Sequence, residues 1–207
     1  MKSVVTGDGS ITLYSENYQD HFHSKSGALE ESFKKFVEPC NLKPGAVILD
    51  IGFGLGYNIL EAIHSVKNIR VTSLEKDENV LKEVQNINVP EHLEKDYDTV
   101  KKAAKNLHYK DDDVEIEIVL GDAVETVKIL KERFDAVFLD PFSPLKNPEL
   151  WTISFFNDVK KLMKKNAVLA TYSCARSVRE NLKNAGFLIK DGPVVGRRGP
   201  STLAINI

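Results

Sequence analysis

The chain has 207 residues, of which 42% are hydrophobic and 28% charged, and its formal net charge is −2 at pH 7. This length and composition predict one compact domain, spanning 1–207, with a hydrophobic core, and they exclude a largely disordered chain. The charge gives no overall basicity for a nucleic acid partner, and no apolar run reaches the roughly 20 residues that span a membrane.

Two cysteines, Cys40 and Cys174, lie far apart in the sequence and form no CxxC pair. They predict neither a disulfide framework nor a zinc site, and this cysteine usage is typical of a reducing compartment. Residues 1–24 lack the charged start and apolar run of a signal peptide. We therefore expect a cytoplasmic protein without a bound metal and without a membrane partner.

Residues 1–40 predict an N-terminal lid or edge hairpin followed by a helix. Residues 8–23 have strand-like patterning, and a helix is expected to start within 26–32. This segment could fold over a ligand bound by the rest of the chain. The side chains that we expect near that ligand are Tyr14, Tyr18, His21, His23 and Glu30.

From residue 45 to residue 207 the sequence alternates short apolar runs with amphipathic segments, a pattern typical of βαβ units on a parallel sheet. Strands are predicted over 46–51, 70–75, 114–120, 134–140 and 167–172, with closing strands over 187–190 and 201–207. Helices are predicted over 57–66, 78–85, 123–133, 148–163 and 176–185. The fold class is therefore α/β, a doubly wound Rossmann-like sheet of seven strands with one antiparallel edge strand.

Residues 86–113 interrupt this alternation with many Lys, Asp and Glu residues. We interpret them as a charged insertion between the second helix and the third strand, with a solvated helix over 96–108. The insertion contains no obvious catalytic residue.

A glycine-rich turn follows the first strand of this core. Asp50 ends the strand, and Gly52, Gly54 and Gly56 precede the next helix. Ligands of open α/β sheets bind at the carboxyl ends of the strands, where glycines let the backbone approach them closely. The turn alone fits a dinucleotide and S-adenosylmethionine equally well.

Two further acids favour S-adenosylmethionine. Glu75 ends the second strand and is placed to accept hydrogen bonds from ribose hydroxyls, and Asp122 follows the third strand, where an adenine amino group would lie. Each acid alone could equally be a helix N-cap or a solvated strand end. Three acids at three strand ends favour an adenosyl ligand with a free ammonium, and four neighbours complete the predicted cofactor site: Phe53, Asn58, Lys76 and Ala123.

Asp140 ends the fourth strand and opens a loop that Pro141 and Pro144 stiffen. A carboxylate at this place could orient an amine and accept its proton, which an alkylamine must lose before it attacks a methyl group. We therefore predict that Asp140 is the catalytic residue and also borders the cofactor. An Asx-turn before proline is the alternative role. Substrate contacts are predicted for Phe142, Pro144 and Trp151, although aromatic residues in such a loop more often pack in a core or a lid.

Several strings together resemble the methyltransferase domain of MnmC, over most of the chain. The specific part is the Asp-x-Phe-x-Pro-x-x-Asn-Pro-x-x-Trp pattern, and the resembling segments are 28–32, 52–58, 139–151, 171–179, 184–187 and 195–199. The resemblance implies methyl transfer from S-adenosylmethionine to the aminomethyl nitrogen at C5 of a tRNA wobble uridine. The resemblance also implies that the cofactor binds at the 52–56 turn, Glu75 and Asp122, and that Asp140 faces the substrate amine.

Two departures accompany this resemblance. Pro141 stands where the family pattern usually has Gly, which removes an N–H and fixes φ. Bifunctional members carry a flavin oxidase domain for which 207 residues leave no room, so a stand-alone form is expected, dependent on another enzyme for its aminomethyl substrate.

A tRNA partner requires a local basic patch, since the whole chain is slightly acidic. Arg197 and Arg198, in a Gly/Pro loop near the expected cleft, are the predicted RNA contacts, and the oligomeric state is left open. Two further basic clusters are candidates: Lys160, Lys161, Lys164 and Lys165; and Arg176, Arg179 and Lys183. For the lysine cluster a solvated helix face is the favoured interpretation, because Lys-rich helices are common.

Three other functions fit parts of the pattern. A methyltransferase acting on a small amine or a protein would use the same chemistry. An aminopropyl transferase of related fold would need further acids after the fourth strand, where this chain has Pro141, Phe142, Ser143 and Pro144. A non-catalytic protein that binds S-adenosylmethionine would keep the fold alone.

Overall fold

The computed structural model describes residues 1–196 and 198–207. Its N-terminal part is a small antiparallel sheet of β1 (Lys2–Val5), β2 (Ile11–Ser15) and β3 (Asp20–His21). The strand-like patterning of residues 8–23 thus corresponds to β2 and β3, joined by a turn.

A helical segment follows, made of α1 (Ala28–Ser32), a π-helical turn (Phe33–Val37) and α2 (Glu38–Cys40). Its inner face packs into the core through apolar residues and also carries a buried Glu31 and a buried Lys35.

The central sheet determines where any ligand can bind. Its strands, in the described part of the chain, are β4 (Val47–Ile51), β5 (Ile69–Glu75), β6 (His108–Lys110), β7 (Val114–Leu120), β8 (Phe134–Leu139), β9 (Met163–Thr171), β10 (Phe187–Asp191) and β11 (Thr202–Asn206). They lie in the order β10-β11-β9-β8-β4-β5-β7-β6. The strands from β9 to β7 in this order are all parallel, which confirms the doubly wound α/β fold class.

The strand count and the place of the antiparallel strand differ from the prediction. Eight described strands form the sheet instead of seven. β11 is antiparallel to its neighbours but lies between β9 and β10 rather than at the edge. The extra strand, β6, comes from the charged 86–113 segment and pairs antiparallel with β7 at the opposite edge.

Helices cover both faces of the sheet, as the apolar character of the parallel strands requires. One face carries the π-helical turn with α3 (Tyr57–Ser65), α4 (Glu78–Val84) and α5 (Glu94–Asn106). The other carries α6 (Ala123–Ile129), α7 (Ile153–Leu162) and α8 (Arg176–Asn184). Within the described ranges, no helix is long and apolar enough to cross a membrane.

Two helices differ from their predicted form. The helix expected to be solvated at 96–108 is α5, and one of its faces is buried through Tyr97, Val100, Ala103 and Ala104. Pro148 does not begin an α-helix but a short 3-10 turn (Pro148–Trp151), and α7 starts after Thr152, whose hydroxyl accepts a hydrogen bond from the Phe155 N–H at 3.2 Å.

Candidate functional site

The glycine-rich turn lies at the carboxyl end of β4 and approaches the loop after β8 closely. Gly52 has φ +96°, and a Cβ built there would lie 2.9 Å from the Asp140 carbonyl oxygen. Gly54 and Gly56 also have positive φ, so the whole turn uses conformations that favour glycine. A side chain at Gly52 would collide with the backbone of Asp140 and Pro141, so only glycine lets the turn lie this close to the loop after β8.

Asp50 lies fully buried beneath the turn. Its Oδ2 accepts a hydrogen bond from Ser73 Oγ at 2.6 Å, while its Oδ1 has no hydrogen-bond partner among the described residues. Burial raises the pKa of Asp50 to about 7, against the opposing hydrogen bond from Ser73. A buried oxygen without a partner is costly, and a donor supplied by a ligand would remove that cost.

Glu75 ends β5 and holds the turn in place through backbone hydrogen bonds. Its Oε2 accepts from the Gly54 N–H at 3.0 Å, and its Oε1 accepts from the N–H groups of Lys76 and Asp77 at 2.8 Å each. Burial raises the pKa of Glu75, and these backbone hydrogen bonds oppose the rise. Because each carboxylate oxygen can accept more than one hydrogen bond, capacity for ribose hydroxyls is left.

Asp122 faces the same cavity but is occupied by protein partners. Its Oδ1 accepts the Val124 N–H at 3.0 Å as the N-cap of α6, and its Oδ2 pairs with Lys76 Nζ at 2.8 Å. The hydrogen bond from Lys76 lowers the pKa of Asp122. Because the pair is exposed, it contributes at most about 1 kcal/mol and can open for an adenine amino group.

Asp140 stands where the glycine-rich turn and the loop after β8 meet. Asn58 Nδ2, from the first turn of α3, donates to Asp140 Oδ2 at 2.9 Å. Burial raises the pKa of Asp140 well above its ordinary value, and the charge of Glu31 raises it further, against the Asn58 hydrogen bond. A carboxylate whose pKa is raised is a stronger base than an ordinary carboxylate, which suits it to accept a proton from a substrate.

Two cavities meet at this carboxylate and share Phe22, Asp140, Pro141 and Phe142. The first, here called the turn cavity, has a volume of about 80 Å³. Its lining includes Ile51, Gly52, Gly54, Leu74, Glu75, Lys76, Gly121, Asp122 and Ala123. These apolar walls and acids fit the adenosyl group and ammonium of S-adenosylmethionine.

The second, here called the lid cavity, has a volume of about 210 Å³. The N-terminal segment forms one wall, and Glu31 and the loop after β8 form the others. The lining residues not shared with the turn cavity are Asp20, His21, His23, Ser24, Lys25, Glu31, Ser143 and Tyr172.

An aromatic cluster lies at the junction of the two cavities. The Phe142 ring stacks on Tyr18 with centroids 4.2 Å apart and lies 5.1 Å from the Phe22 centroid. Tyr172 donates a hydrogen bond to the Pro141 carbonyl at 2.9 Å, which holds the loop behind Phe142. The pocket of a small ligand usually encloses about 300–1,000 Å³, so we expect Tyr18 and Phe142 to separate when the cofactor enters the turn cavity.

Some predicted site residues lie elsewhere. Trp151 is 3% exposed and donates from Nε1 to the Phe142 carbonyl at 3.0 Å, so its ring supports the loop from the core and cannot stack on a base. Phe53 is equally buried, and its ring packs beside Gly56, so neither residue lines the two cavities in the described chain. Pro144 is half-buried in the loop beyond Ser143, also outside both linings.

The predicted RNA contacts are placed only in part. Arg197 lies outside the described residues, and Arg198 is exposed. A Cβ built on the nearby Gly196 would lie 2.5 Å from Ser26 Oγ, so this loop runs beside the segment that walls the lid cavity.

Several residues of the cavities were not predicted as site residues, among them Phe22, Glu31 and Tyr172. The expectation for α1 was Glu30, which is exposed, whereas its neighbour Glu31 faces inward. Glu30 and Lys34 have the same i, i+4 spacing as Glu31 and Lys35, so charge spacing in the sequence does not choose between the two glutamates. Across residues 1–196 and 198–207, no cluster of three His, Cys, Asp or Glu side chains is placed to hold a metal ion.

Comparison with known proteins gives the family. A sequence model of S-adenosyl-L-methionine-dependent methyltransferases matches residues 84–206. The crystal structure of MnmC2 from Aquifex aeolicus superposes with a TM-score of 0.88 at 32% identity, over 99% of this chain and 70% of that one.

Two relatives are similar in sequence along most of this chain. An uncharacterized protein of Methanocaldococcus jannaschii is 33% identical over 97% of this chain and 58% of its own length. The tRNA 5-methylaminomethyl-2-thiouridine biosynthesis bifunctional protein MnmC of Leptospira interrogans is 26% identical over 94% of this chain and 34% of its own length. The chain thus spans about a third to somewhat more than half of these relatives.

The family match covers more than half of the chain, and the sheet, the glycine-rich turn and the acids at its strand ends agree with it. The cofactor is S-adenosylmethionine, as the sequence predicted. This chain belongs to the S-adenosyl-L-methionine-dependent methyltransferases and is an enzyme of the MnmC type.

Proposed function

We propose that this enzyme methylates the aminomethyl nitrogen at C5 of a tRNA wobble uridine. The observation that carries the proposal is the position of Asp140 at the junction of the turn cavity and the lid cavity. An amine entering the lid cavity would meet this carboxylate beside the place where the cofactor binds. The name of the Leptospira interrogans relative supports a tRNA acceptor of this kind.

The cofactor residues are proposed from the lining of the turn cavity. Gly52 and Gly54 would contact S-adenosylmethionine through their backbone, Glu75 would accept from its ribose, and Asp122 and Ala123 would border its adenine. When bound, S-adenosylmethionine supplies an electrophilic methyl group on a sulfonium, and the sulfur keeps the electron pair of the bond that breaks. Asp50 would act from beneath, through the oxygen that lacks a partner among the described residues.

Asp140 prepares the nucleophile. An alkylamine is protonated near neutral pH and has no free lone pair until a base removes a proton. Asn58 fixes Asp140 through Oδ2, so Oδ1 is left to accept a hydrogen bond from the ammonium and then its proton. The freed lone pair forms the new N–C bond. Once Tyr18, Phe22 and Phe142 close again over the bound cofactor, this aromatic cluster would keep water from the reacting atoms.

RNA contacts outside the cavities would hold the substrate in place. Arg198 is exposed in the loop that runs beside the lid cavity. Helix α8 starts after Tyr172, at the carboxyl end of β9, and carries three basic residues: Arg176, Arg179 and Lys183. Phosphates could exchange with the exposed ion-pair partners of these arginines, Glu180 and Asp191, because exposed ion pairs are weak.

Methyl transfer to hypomodified tRNA tests the proposal. Purified protein and methyl-labelled S-adenosylmethionine are incubated with tRNA from a strain that lacks this methylation, and with fully modified tRNA as the matched control. We expect label in the first tRNA, none in the second, and a large loss of the turnover rate in Asp140→Asn. Absence of label in the first tRNA, with cofactor binding intact by calorimetry, would overturn the tRNA acceptor. Label in a small amine or a protein under the same conditions would replace it.

Salt dependence separates the RNA contacts from the chemistry. Arg198→Ala should raise KM for tRNA and lower the slope of log affinity against log salt by about 1, while the turnover rate at saturation stays the same. Arg133→Ala is the matched control. Arg133 is exposed and directly precedes β8, so it lies at the amino end of this strand, away from the cavities at the carboxyl ends. Equal effects of both variants would contradict an RNA contact at Arg198.

A further inference from the structure

The lid cavity contains a second carboxylate, Glu31, to which the mechanism above gives no role. Glu31 is 7% exposed and forms an ion pair with Lys35, which is 1% exposed. The two residues lie one turn apart where α1 passes into the π-helical turn, on the face that packs against the core. A buried pair of charges at the wall of a cavity needs an explanation.

Folding stability does not explain why this ion pair is buried. Removing two charges from water costs about as much as their attraction returns, and a buried ion pair can often be replaced by apolar residues without loss of stability. A role in the fold alone would therefore favour apolar residues at both positions. Glu31 lines the lid cavity together with Asp140, which indicates a role toward the ligand that enters that cavity.

The Glu31 carboxylate is fixed but keeps free hydrogen-bonding capacity. One oxygen, Oε1, accepts from Lys35 Nζ, and the other, Oε2, accepts from the Ser24 N–H at 2.9 Å. A carboxylate has about four lone-pair sites, so two acceptor sites are left for a ligand. Lys35 thus holds the carboxylate in one orientation.

The charges around Asp140 come from several elements. The N-terminal segment contributes Asp20, His21, His23 and Lys25 to the lid cavity, and α1 with the following turn contributes Glu31 and Lys35. β4 contributes Asp50 from beneath. The turn cavity adds Glu75, Lys76, Asp77, Asp122 and Glu149 on the other side.

Within the lid cavity itself the acidic groups dominate. Burial lowers the pKa of His23 to about 4, so this ring is neutral at pH 7. The lining thus contains three carboxyl groups, those of Asp20, Glu31 and Asp140, and one lysine, Lys25. Lys35 is not in the lining and pairs with Glu31. This lining favours a cation over a neutral or anionic group.

We propose that Glu31, fixed by Lys35, is a second substrate-binding carboxylate that holds the ammonium form of the acceptor amine while Asp140 removes its proton. The inference rests on the proposed function, because it assumes an amine as the acceptor. One N–H of the ammonium donates to Glu31, a second N–H transfers its proton to Asp140, and the nitrogen keeps the electron pair of that bond. Two neighbouring carboxylates thus divide binding and proton transfer between them, as paired acids do in other enzymes.

A charge-free variant tests the role of the pair. Glu31→Gln alone leaves Lys35 buried without its partner and can lose stability for that reason. The double variant Glu31→Gln with Lys35→Met removes both charges and keeps similar volumes. Glu30→Gln is the matched control, because it makes the same substitution one residue earlier, at an exposed position.

Kinetics with hypomodified tRNA give the first measurement. We expect the double variant to raise KM about tenfold or more, because a charged hydrogen bond to the substrate is lost, with a smaller change in kcat. Asp140→Asn should do the opposite, with its main loss in kcat. Unchanged KM in a double variant that folds and binds the cofactor normally would overturn the proposal.

Carboxyl titration of the free protein gives a second measurement that needs no substrate. The charge of Glu31 raises the pKa of Asp140 more than that of Lys35 lowers it, so the Asp140 titration followed by NMR should move to lower pH in the double variant. Ethylammonium should perturb the Asp140 signal in the wild-type protein and in Glu30→Gln, but not in the double variant. Failure of the tRNA assay with these NMR results intact would overturn the tRNA acceptor alone. Ethylammonium perturbation retained in the double variant would overturn the role of Glu31.

Discussion

The dependence of folding stability on pH should change when Asp50 is replaced by Asn. Burial raises the pKa of Asp50 from 3.8 to about 7. In the folded protein the carboxyl therefore keeps its proton up to about pH 7, whereas in the unfolded chain it loses the proton near its ordinary value. The unfolded state binds fewer protons between these values, so the free energy of unfolding falls as the pH rises through this window.

The magnitude follows from the size of the shift. Each unit of pKa difference corresponds to about 1.4 kcal/mol, so the contribution of Asp50 falls by about 4 kcal/mol between about pH 4 and about pH 8. Asp50→Asn removes this titration and keeps an oxygen that can accept from Ser73 Oγ. Any cost of burying the amide is the same at every pH, so it does not change the slope.

Urea denaturation without cofactor, at pH values across that range, measures the effect. The free energy of unfolding of Asp50→Asn minus that of the wild type should rise by about 4 kcal/mol from the acidic to the basic end. Asp112→Asn, which makes the same substitution at an exposed position in the turn between β6 and β7, is the matched control. A flat difference for Asp50→Asn would refute the reasoning.

Four further substitutions test the turn cavity. Gly52→Ala should weaken cofactor binding about tenfold or more, because its Cβ would lie 2.9 Å from the Asp140 carbonyl oxygen at a φ of +96°; wild-type affinity by calorimetry would contradict the close approach. Lys76→Met should leave the melting temperature nearly unchanged, whereas Asp122→Ala should cost about 1 kcal/mol through the lost N-cap; equal losses would show that the ion pair matters more than the cap. Tyr18→Leu should speed cofactor dissociation in stopped-flow measurements by removing the stack on Phe142, and an unchanged rate would exclude this cluster as a lid.

The features that the sequence predicted correctly are those that depend on local pattern. The apolar run of β4 predicted a buried strand, and the glycines after it predicted a turn at the carboxyl end of that strand. The parallel arrangement then required the ends of β4, β5, β7 and β8 to meet at one edge, which brings Asp50, Glu75, Asp122 and Asp140 to the same side of the sheet.

The features that were missed depend on contacts between distant parts of the chain. Nothing local indicates that β11 inserts between β9 and β10, since an edge position would satisfy the same apolar pattern. The pairing of Lys76 with Asp122 requires that β5 and β7 be neighbours although β6 lies between them in sequence. Choosing Glu31 over Glu30 required the rotation of α1 against the sheet.

The contact between α5 and the glycine-rich turn lets the 86–113 segment, which has no catalytic residue of its own, affect the shape of the cofactor site. Tyr97 donates a hydrogen bond to the Leu55 carbonyl at 2.9 Å, and a Cβ built on Gly56 would lie 2.5 Å from Val100 Cγ1. The turn is thus braced from behind by a helix whose other face carries the charges of the 86–113 segment. Substitutions on the outward face of α5 are not constrained by ligand binding. Substitutions on its inward face would change the position of the glycine-rich turn and thereby cofactor affinity, so orthologues could differ in that affinity without a change in any residue that contacts the cofactor.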